Sequence, residues 1–473
     1  MPLMQKIGRN TIIHFMSKVI SLLLNVFVFA LIARYLGATG FGEFTIVIAY
    51  LQAFAIFADL GLYMTFIQML SLPNADEEKI ASNFFTIRLI SSIILLSFAP
   101  LISLLIPQYS HIVKLGIAIT SISFLFGSLT QLLTGFFQKK MQMLKVAIAE
   151  IISKLVFAIL MYLVVYLDLG FLNILGVVVI GGFVNFILLY SFSRKFVKIS
   201  LRFDKIIWRD AIKKTWPIGL SIILTTIYFK GDTIILSLFR PSQEVGIYGA
   251  AYRILEALIM FPPIFMGLIL PHLTLAWANK DIFAFKLIFQ KAFDFFSIMT
   301  VPLVVGVLFL ARPLMVFVAG PEFAISAEPL KILVFATMLI FFGSLFTHVI
   351  VAINKQRAML RFYGLAAVVA LIGYFIFIPH YSYYGAACVT VVAEFIITIS
   401  AFIIIQRTTK IFPSLRIFLP VILSSLVMGF ILFIFSEVNL LLLILLAIIV
   451  YFSALYLSGG INKKMIRDII KTN

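Results

Sequence analysis

Apolar runs of about 18 residues or more recur along the whole length of this chain, and they limit its fold more than any motif does. A segment that crosses the roughly 30 Å hydrocarbon layer has no water to satisfy its peptide groups, so it must be a helix or part of a closed barrel. No stretch shows the period-two alternation of a barrel strand. The expected fold is therefore all-α, a polytopic membrane protein. Hydrophobic residues at 63%, charged residues at 12% and a mean hydropathy of +1.15 leave no room for a soluble domain. Lys6 and Arg9 precede a first apolar run too long for a signal peptide and without a small-residue cleavage site, so it is expected to stay as the first membrane helix. The single Cys388 excludes an intramolecular disulfide and a thiol metal site.

The pattern reads as fourteen helices. Six run over about 10–36, 43–70, 83–106, 112–135, 145–167 and 171–193, and eight over about 214–239, 246–271, 293–311, 328–352, 359–378, 384–406, 415–435 and 438–457. Pro302 and Pro379 are expected to interrupt or end the ninth and eleventh. The net charge of +18 follows this alternation. With a cytoplasmic N-terminus, the inside loops hold Lys139, Lys140, Lys145, the group from Arg194 to Lys214, Lys280, Lys286, Lys291, Lys355, Arg357, Arg361, Arg407, Lys410, Arg416 and the tail lysines. The outside loops hold little besides Arg240 and Arg312. That asymmetry predicts an even helix count with both termini in the cytoplasm, and it gives the basic charge a membrane meaning rather than a nucleic-acid one.

The longest connection divides the chain into similar halves. Phe29-Ala30-Leu31-Ile32 leading to Gly42-Glu43-Phe44 corresponds to Thr233-Ile234-Ile235-Leu236 leading to Gly246-Ile247-Tyr248, at a constant shift of 204 residues. Both copies enter from the same side, so the repeats run parallel, and a substrate site is expected at their interface. The expected divisions are an N-lobe over 1–193, a basic cytoplasmic connector over 194–213, a C-lobe over 214–406, and two further helices with a basic tail over 407–473.

Ala33-Arg34-Tyr35-Leu36-Gly37 followed by Gly40-Phe41-Gly42-Glu43-Phe44 resembles the opening of bacterial polysaccharide flippases of the Wzx type, and Val245-Gly246-Ile247-Tyr248-Gly249-Ala250-Ala251-Tyr252 resembles the matching motif of their second half. These motifs are shared across the wider superfamily of multidrug, oligosaccharidyl-lipid and polysaccharide exporters. The resemblance implies an alternating-access carrier that moves an undecaprenyl-diphosphate-linked glycan, such as an O-antigen unit of lipopolysaccharide, from the cytoplasmic to the periplasmic leaflet. It also implies membrane lipids, a polysaccharide polymerase and chain-length proteins as partners.

The charges within the spans supply the candidate site. Arg offers a planar fork to phosphate oxygens and Lys a mobile point charge, so a diphosphate headgroup calls for a cationic lining, whereas a cationic drug calls for the reverse. Lys18, Arg34, Arg88, Lys230 and Arg253 are the candidate substrate cations. Lys18 lies about 12 Å into its helix, farther than its side chain easily snorkels, while Arg34 and Arg88 lie nearer helix ends where snorkelling competes with cavity lining. Lys230-Gly231-Asp232 interrupts an otherwise apolar span and needs a polar environment. Asp59, Asp232, Glu256 and Glu394 are the candidate coupling or gating groups. Arg253 and Glu256 share a helix face, so an intrahelical ion pair competes with substrate contact. Asp59 balances a cavity cation or closes a gate as a structural salt bridge. Asp232 and Glu394 are candidates for binding H⁺ or Na⁺, against structural pairing; no metal site or cofactor is otherwise expected.

An enzyme is not expected: there is no Asp-x-Asp, Walker A loop or nucleophile elbow, and the five His residues are scattered. Two other readings stay open at this stage: a multidrug exporter of the same superfamily, working through its carboxylates, and a non-transporting partner in envelope assembly. A peptidoglycan-precursor flippase is a near variant of the main reading.

Overall fold

In the computed structural model, which describes residues 3–73 and 75–461, helix follows helix and the described residues contain no strand. The order is α1 (Leu3–Asp59), α2 (Leu62–Leu70), α3 (Glu77–Leu104), α4 (His111–Lys139), α5 (Met143–Tyr166), α6 (Phe171–Ser193), α7 (Lys205–Phe239), α8 (Ser242–Ile259) and α9 (Phe261–Ala278). Then come α10 (Ile282–Ala319), a 3₁₀ turn (Pro321–Ser326), α11 (Ala327–Ala352), α12 (Gln356–Thr409), α13 (Phe418–Ile434) and α14 (Leu440–Leu457). Among the described residues, ten helical segments are long and apolar enough to cross a membrane. The polytopic all-α expectation therefore holds.

Several boundaries differ from those read in the sequence. No loop separates the first two expected helices: α1 runs through 57 residues and breaks only at Gly37, whose φ of 63° is open to glycine at little cost. At 1.5 Å per residue α1 is far longer than one crossing needs, so the break marks a change of direction. α12, with 54 residues, behaves alike at Ser382. Pro302 does not end its helix, since α10 runs through it, whereas Pro379 lies three residues before the break of α12 at Ser382, near the boundary expected there. A proline removes the N–H that the carbonyl four residues earlier would accept, and neighbouring groups can replace it. Pro302 leaves the Ile298 carbonyl without that donor, and the Tyr451 hydroxyl of α14 donates to it at 2.8 Å.

The chain divides into two compact units, 1–246 and 247–473. In the second, α13 and α14 pack on α10 through Ile298, Val421, Met428, Leu432, Leu443 and Tyr451. The first unit holds a core of α2, α3 and α4 residues, among them Phe66, Leu70, Phe84, Ile87, Leu132 and Phe136, and this core extends to Val197 and to Ala211 of α7. The segment between α6 and α7 is extended and laid along α3. The backbone N–H groups of Ser200, Arg202 and Asp204 donate to Ser82 Oγ (3.1 Å), Thr86 Oγ1 (3.0 Å) and Asn83 Oδ1 (2.7 Å). Three alternate residues thus turn their peptide groups toward α3, as strand geometry allows. Asp204 then caps α7 by accepting from the N–H groups of Ile206 and Ile207, and Lys79 sits 2.7 Å from its carboxylate. The Lys79 ammonium, aided by the Ile207 N–H, holds the Asp204 carboxyl below its ordinary range.

Among the described glycines, the repeated pair meets the nearest backbone atoms. A methyl on Gly42 would lie 1.7 Å from the Ser242 carbonyl oxygen, and one on Gly246 would lie 2.0 Å from that of Ala38. Ala38 and Ser242 stand at the same 204-residue shift as the two glycines, so the crossing is symmetric in sequence as well as in space. Gly42→Ala and Gly246→Ala are each expected to lower stability by about 1–3 kcal/mol or more, the cost of forcing side-chain volume into packed backbone. Gly176→Ala in α6, where no heavy atom lies within 4 Å of the added carbon, should be neutral or stabilising by about 0.5–1 kcal/mol. Thermal unfolding in detergent reads this order, and equal effects at all three positions would contradict the crossing.

Candidate substrate and gating site

α1 ends at Asp59, and the chain turns through Leu60 (φ 43°) and Gly61 (φ 91°) before α2 starts. Positive φ at Leu60 is sterically costly, and a helix break leaves the last carbonyls of one helix and the first N–H groups of the next without partners. The residues around the break close these groups. The Asp59 carboxylate accepts from the N–H of Gly61 (3.2 Å) and of Tyr63 (3.3 Å), so it acts as the cap of α2. The freed Ala58 carbonyl accepts from Arg88 Nη1 and from Ser91 Oγ, both at 3.3 Å.

Arg88 joins these parts. Its guanidinium, 2% exposed, pairs through Nη1 with Asp59, donates from Nη2 to Gln131 Oε1 of α4 (2.7 Å), and reaches the Ser128 carbonyl from Nε (3.3 Å). One side chain of α3 therefore holds the end of α1 and the middle of α4, and through the Asp59 carboxylate it is linked to the start of α2. Arg88, expected as a substrate cation, and Asp59, expected to balance a cavity cation or close a gate as a structural salt bridge, are found as one ion pair. Arg88 also lies deeper than a helix-end position suggests, eleven residues or about 16 Å along α3 from Glu77, so it is buried rather than snorkelling. The pair borders a cavity of about 540 Å³ within the first unit, within the usual range for small-molecule sites. Tyr63, Ser123 and Gln131 add polar groups to its wall; Ile48, Ile56, Phe124 and Ile222 make much of the rest apolar.

α2 is gripped on two sides. Tyr63 donates to Gln138 of α4 at 2.8 Å, and Thr215 of α7 donates to Thr65 at 3.0 Å. α7 also passes close to the break itself: a methyl on Gly219 would stand 2.5 Å from the Leu60 carbonyl oxygen. Gln131, Tyr63 and Ser91 were not singled out by sequence. Gln131 alone carried a usable signal, as an amide within an apolar helix; the backbone carbonyls carry none.

The remaining candidates lie elsewhere. Arg253 Nη1 and Glu256 Oε2 form the intrahelical pair at 2.9 Å. Asp232 is fully buried in α7 and accepts from the Thr233 N–H at 2.6 Å. Lys230 is partly buried in the same helix, Arg34 is exposed three residues before the Gly37 break, and Glu394 is 6% exposed in α12. The Lys18 side chain lies outside the described residues. Lys154 of α5 donates to Asn25 of α1 at 2.7 Å. Among the described residues, no three His, Cys, Asp or Glu side chains come together as a metal site.

Removing one member of a buried ion pair strands the other charge and typically costs about 3–5 kcal/mol. Arg88→Met and Asp59→Ala are each expected to destabilise the protein by that order, and the double substitution by clearly less than the sum. Denaturant or thermal unfolding of the purified variants measures the coupling; additive losses would show that the pair does not hold the break.

Residues 7–275 match the family described as "Polysaccharide biosynthesis protein". A protein of Shigella dysenteriae named "Putative O-antigen transporter" is 26% identical over 321 residues, covering 67% of this chain and 78% of its own length. Among solved structures, the lipid II flippase MurJ in an inward closed conformation aligns at a TM-score of 0.79 and 18% identity, covering 97% of this chain and all of its own. An inward-facing multidrug resistance transporter of the MATE family, within the MOP superfamily, aligns at 0.66 and 14% identity, covering 85% and 99%. At such identities the likeness to these structures is one of fold. The relatives are named as transporters and flippases, not enzymes.

Proposed function

The chain belongs to the polysaccharide biosynthesis protein family, and we propose that it is a flippase of that family, carrying an undecaprenyl-diphosphate-linked oligosaccharide from the cytoplasmic to the periplasmic leaflet of a bacterial inner membrane. What carries the reading is the family match over residues 7–275, which includes all five candidate substrate cations, Lys18, Arg34, Arg88, Lys230 and Arg253. The name of the Shigella dysenteriae relative supports a lipid-linked glycan as the cargo class. Counting α1 and α12 as two crossings each, α8 with α9 as one, and α7 and α13 as one each gives fourteen crossings, with the basic loops on the cytoplasmic side.

In this reading the cations receive the diphosphate. Arg88 and Asp59 act earlier, as a latch on the α1–α2 break: while they are paired, α2 stays held between α4 and α7. An anionic headgroup arriving at the cavity competes with Asp59 for the guanidinium, which loosens the latch and couples loading to movement of α2. Transport then proceeds by alternating access. With anionic cargo neutralising the cations, the loaded carrier moves little charge, whereas the empty one is drawn back toward a negative cytoplasm at about 2.3 kcal/mol per charge per 100 mV. A polymerase and chain-length proteins would receive the product.

The buried carboxylates Asp232 and Glu394 favour a second reading, cation-coupled drug export or coupling to H⁺ or Na⁺. Surface glycan display in cells, at matched membrane expression, separates the two. The flippase reading expects Lys18→Ala and Lys230→Ala each to reduce display at least about tenfold, in line with the loss of a buried charge contact of about 1.5–3 kcal/mol. Full display by both variants, with Asp232→Asn and Glu394→Gln abolishing resistance to a cationic drug, would favour the second.

A further inference from the structure

The first turns of α7 and the extended segment before them present a surface that flipping does not use. From Leu201 to Trp216, five large apolar side chains stand in the open: Leu201 at 67% exposure, Phe203 at 70%, Ile206 at 75%, Ile212 at 59% and Trp216 at 65%. The strap is tied to α3 through the peptide N–H groups of residues 200, 202 and 204, while the Leu201 and Phe203 side chains between them are exposed. In α7 the buried side is set by Ala211 and Thr215, and Ile206, Ile212 and Trp216 fall on the rest of the helix.

The same surface is strongly basic. Arg194, Lys195, Lys198, Lys205, Arg209, Lys213 and Lys214 are all exposed. Of the two carboxylates in this stretch, Asp204 is engaged by Lys79, which leaves Asp210 as the other acid; Arg202 is paired with Glu78 at 3.0 Å. By helical angle Lys205, Arg209 and Lys213 lie among Ile206, Ile212 and Trp216, not on a separate polar face. Apolar and cationic groups mixed on one face suit neither bulk water nor hydrocarbon. They suit the headgroup layer, where aromatic and aliphatic side chains enter the acyl boundary and cations meet phosphates.

The length of α7 agrees. Its 35 residues span about 52 Å, against about 20 residues for one crossing, so the first fifteen or so lie beyond the hydrocarbon. We propose that residues 194–216 form a binding surface for the headgroups of anionic phospholipids in the cytoplasmic leaflet. Trp216 and Ile206 are seated at the acyl boundary, and Lys205, Arg209 and Lys213 lie on the phosphates. The surface reaches the proposed latch through α7 itself, since Thr215 within it donates to Thr65, and Gly219 one turn on packs against the Leu60 carbonyl. Clusters of cations beside a membrane helix are attracted to negatively charged leaflets, an attraction that salt screens.

The test reads tryptophan fluorescence of the full-length chain in phosphatidylcholine liposomes containing either brominated phosphatidylglycerol or the same fraction of brominated phosphatidylcholine. The contribution of Trp216 is the difference between the wild type and Trp216→Phe, which leaves Trp208 and Trp277 in place. The proposal expects Trp216 to be quenched by both lipids, but by the brominated phosphatidylglycerol at least about twofold more strongly. That excess should vanish in Lys205→Gln/Arg209→Gln/Lys213→Gln and fall with added salt. Substituting these exposed residues leaves the buried face of α7 unchanged, and unfolding temperature verifies it. Trp216 unquenched by either lipid would overturn the proposal, leaving the surface open to water or an acidic protein. Equal quenching by both lipids, unaltered in the triple variant, would overturn the preference for anionic headgroups.

Discussion

A helix that breaks within packed protein has little water for its terminal peptide groups, and the break after Asp59, with Ala58 buried, is made tolerable by one ion pair. The Asp59 carboxylate supplies an acceptor for the first N–H groups of α2, and the Arg88 guanidinium supplies a donor to the last carbonyls of α1. Each charge is desolvated, and each is stabilised by the other. Burial of this kind contributes little net stability compared with an apolar replacement of both groups, yet loss of one member is costly. Such a pair is better suited to holding a particular arrangement than to strengthening the fold, which is why a latch is the physical reading of it.

The rest of the first unit converges on the same place. Gln131 and Ser128 bind the guanidinium from α4, Tyr63 ties α2 to Gln138, and Thr215 and Gly219 bring α7 against α2 and the break. The strap from residue 198 to 204 sets where α7 starts, because its peptide groups are held by Ser82, Asn83 and Thr86 on the same helix that carries Arg88. A shift of α3 would therefore be felt at the latch and at the start of α7 alike.

What the sequence revealed, and what it withheld, follows from the range of the interactions. Hydrophobic runs report the helices because the bilayer imposes their length, and the pair Arg253–Glu256 was legible because helix geometry alone brings residues three apart together. The 204-residue shift marked Gly42 and Gly246 as equivalent, though only coordinates show that each is required to be glycine by the carbonyl opposite it. The pairing of Arg88 with Asp59 spans 29 residues and depends on how α3 packs against α1, for which spacing gives no rule. Continuity through Pro302 was hidden for a similar reason: the replacement donor, Tyr451, stands 153 residues from the carbonyl that needs it. The break at Leu60–Gly61 was likewise masked by an apolar run that continues across it.

The proposed activity is tested most directly with the purified chain alone in liposomes that carry an undecaprenyl-diphosphate-linked oligosaccharide in one leaflet, by following the appearance of the glycan at the opposite surface with an impermeant glycosidase. The account predicts that the protein speeds this appearance over protein-free liposomes. No acceleration, from a folded preparation that moves a cationic dye across the same vesicles, would contradict it.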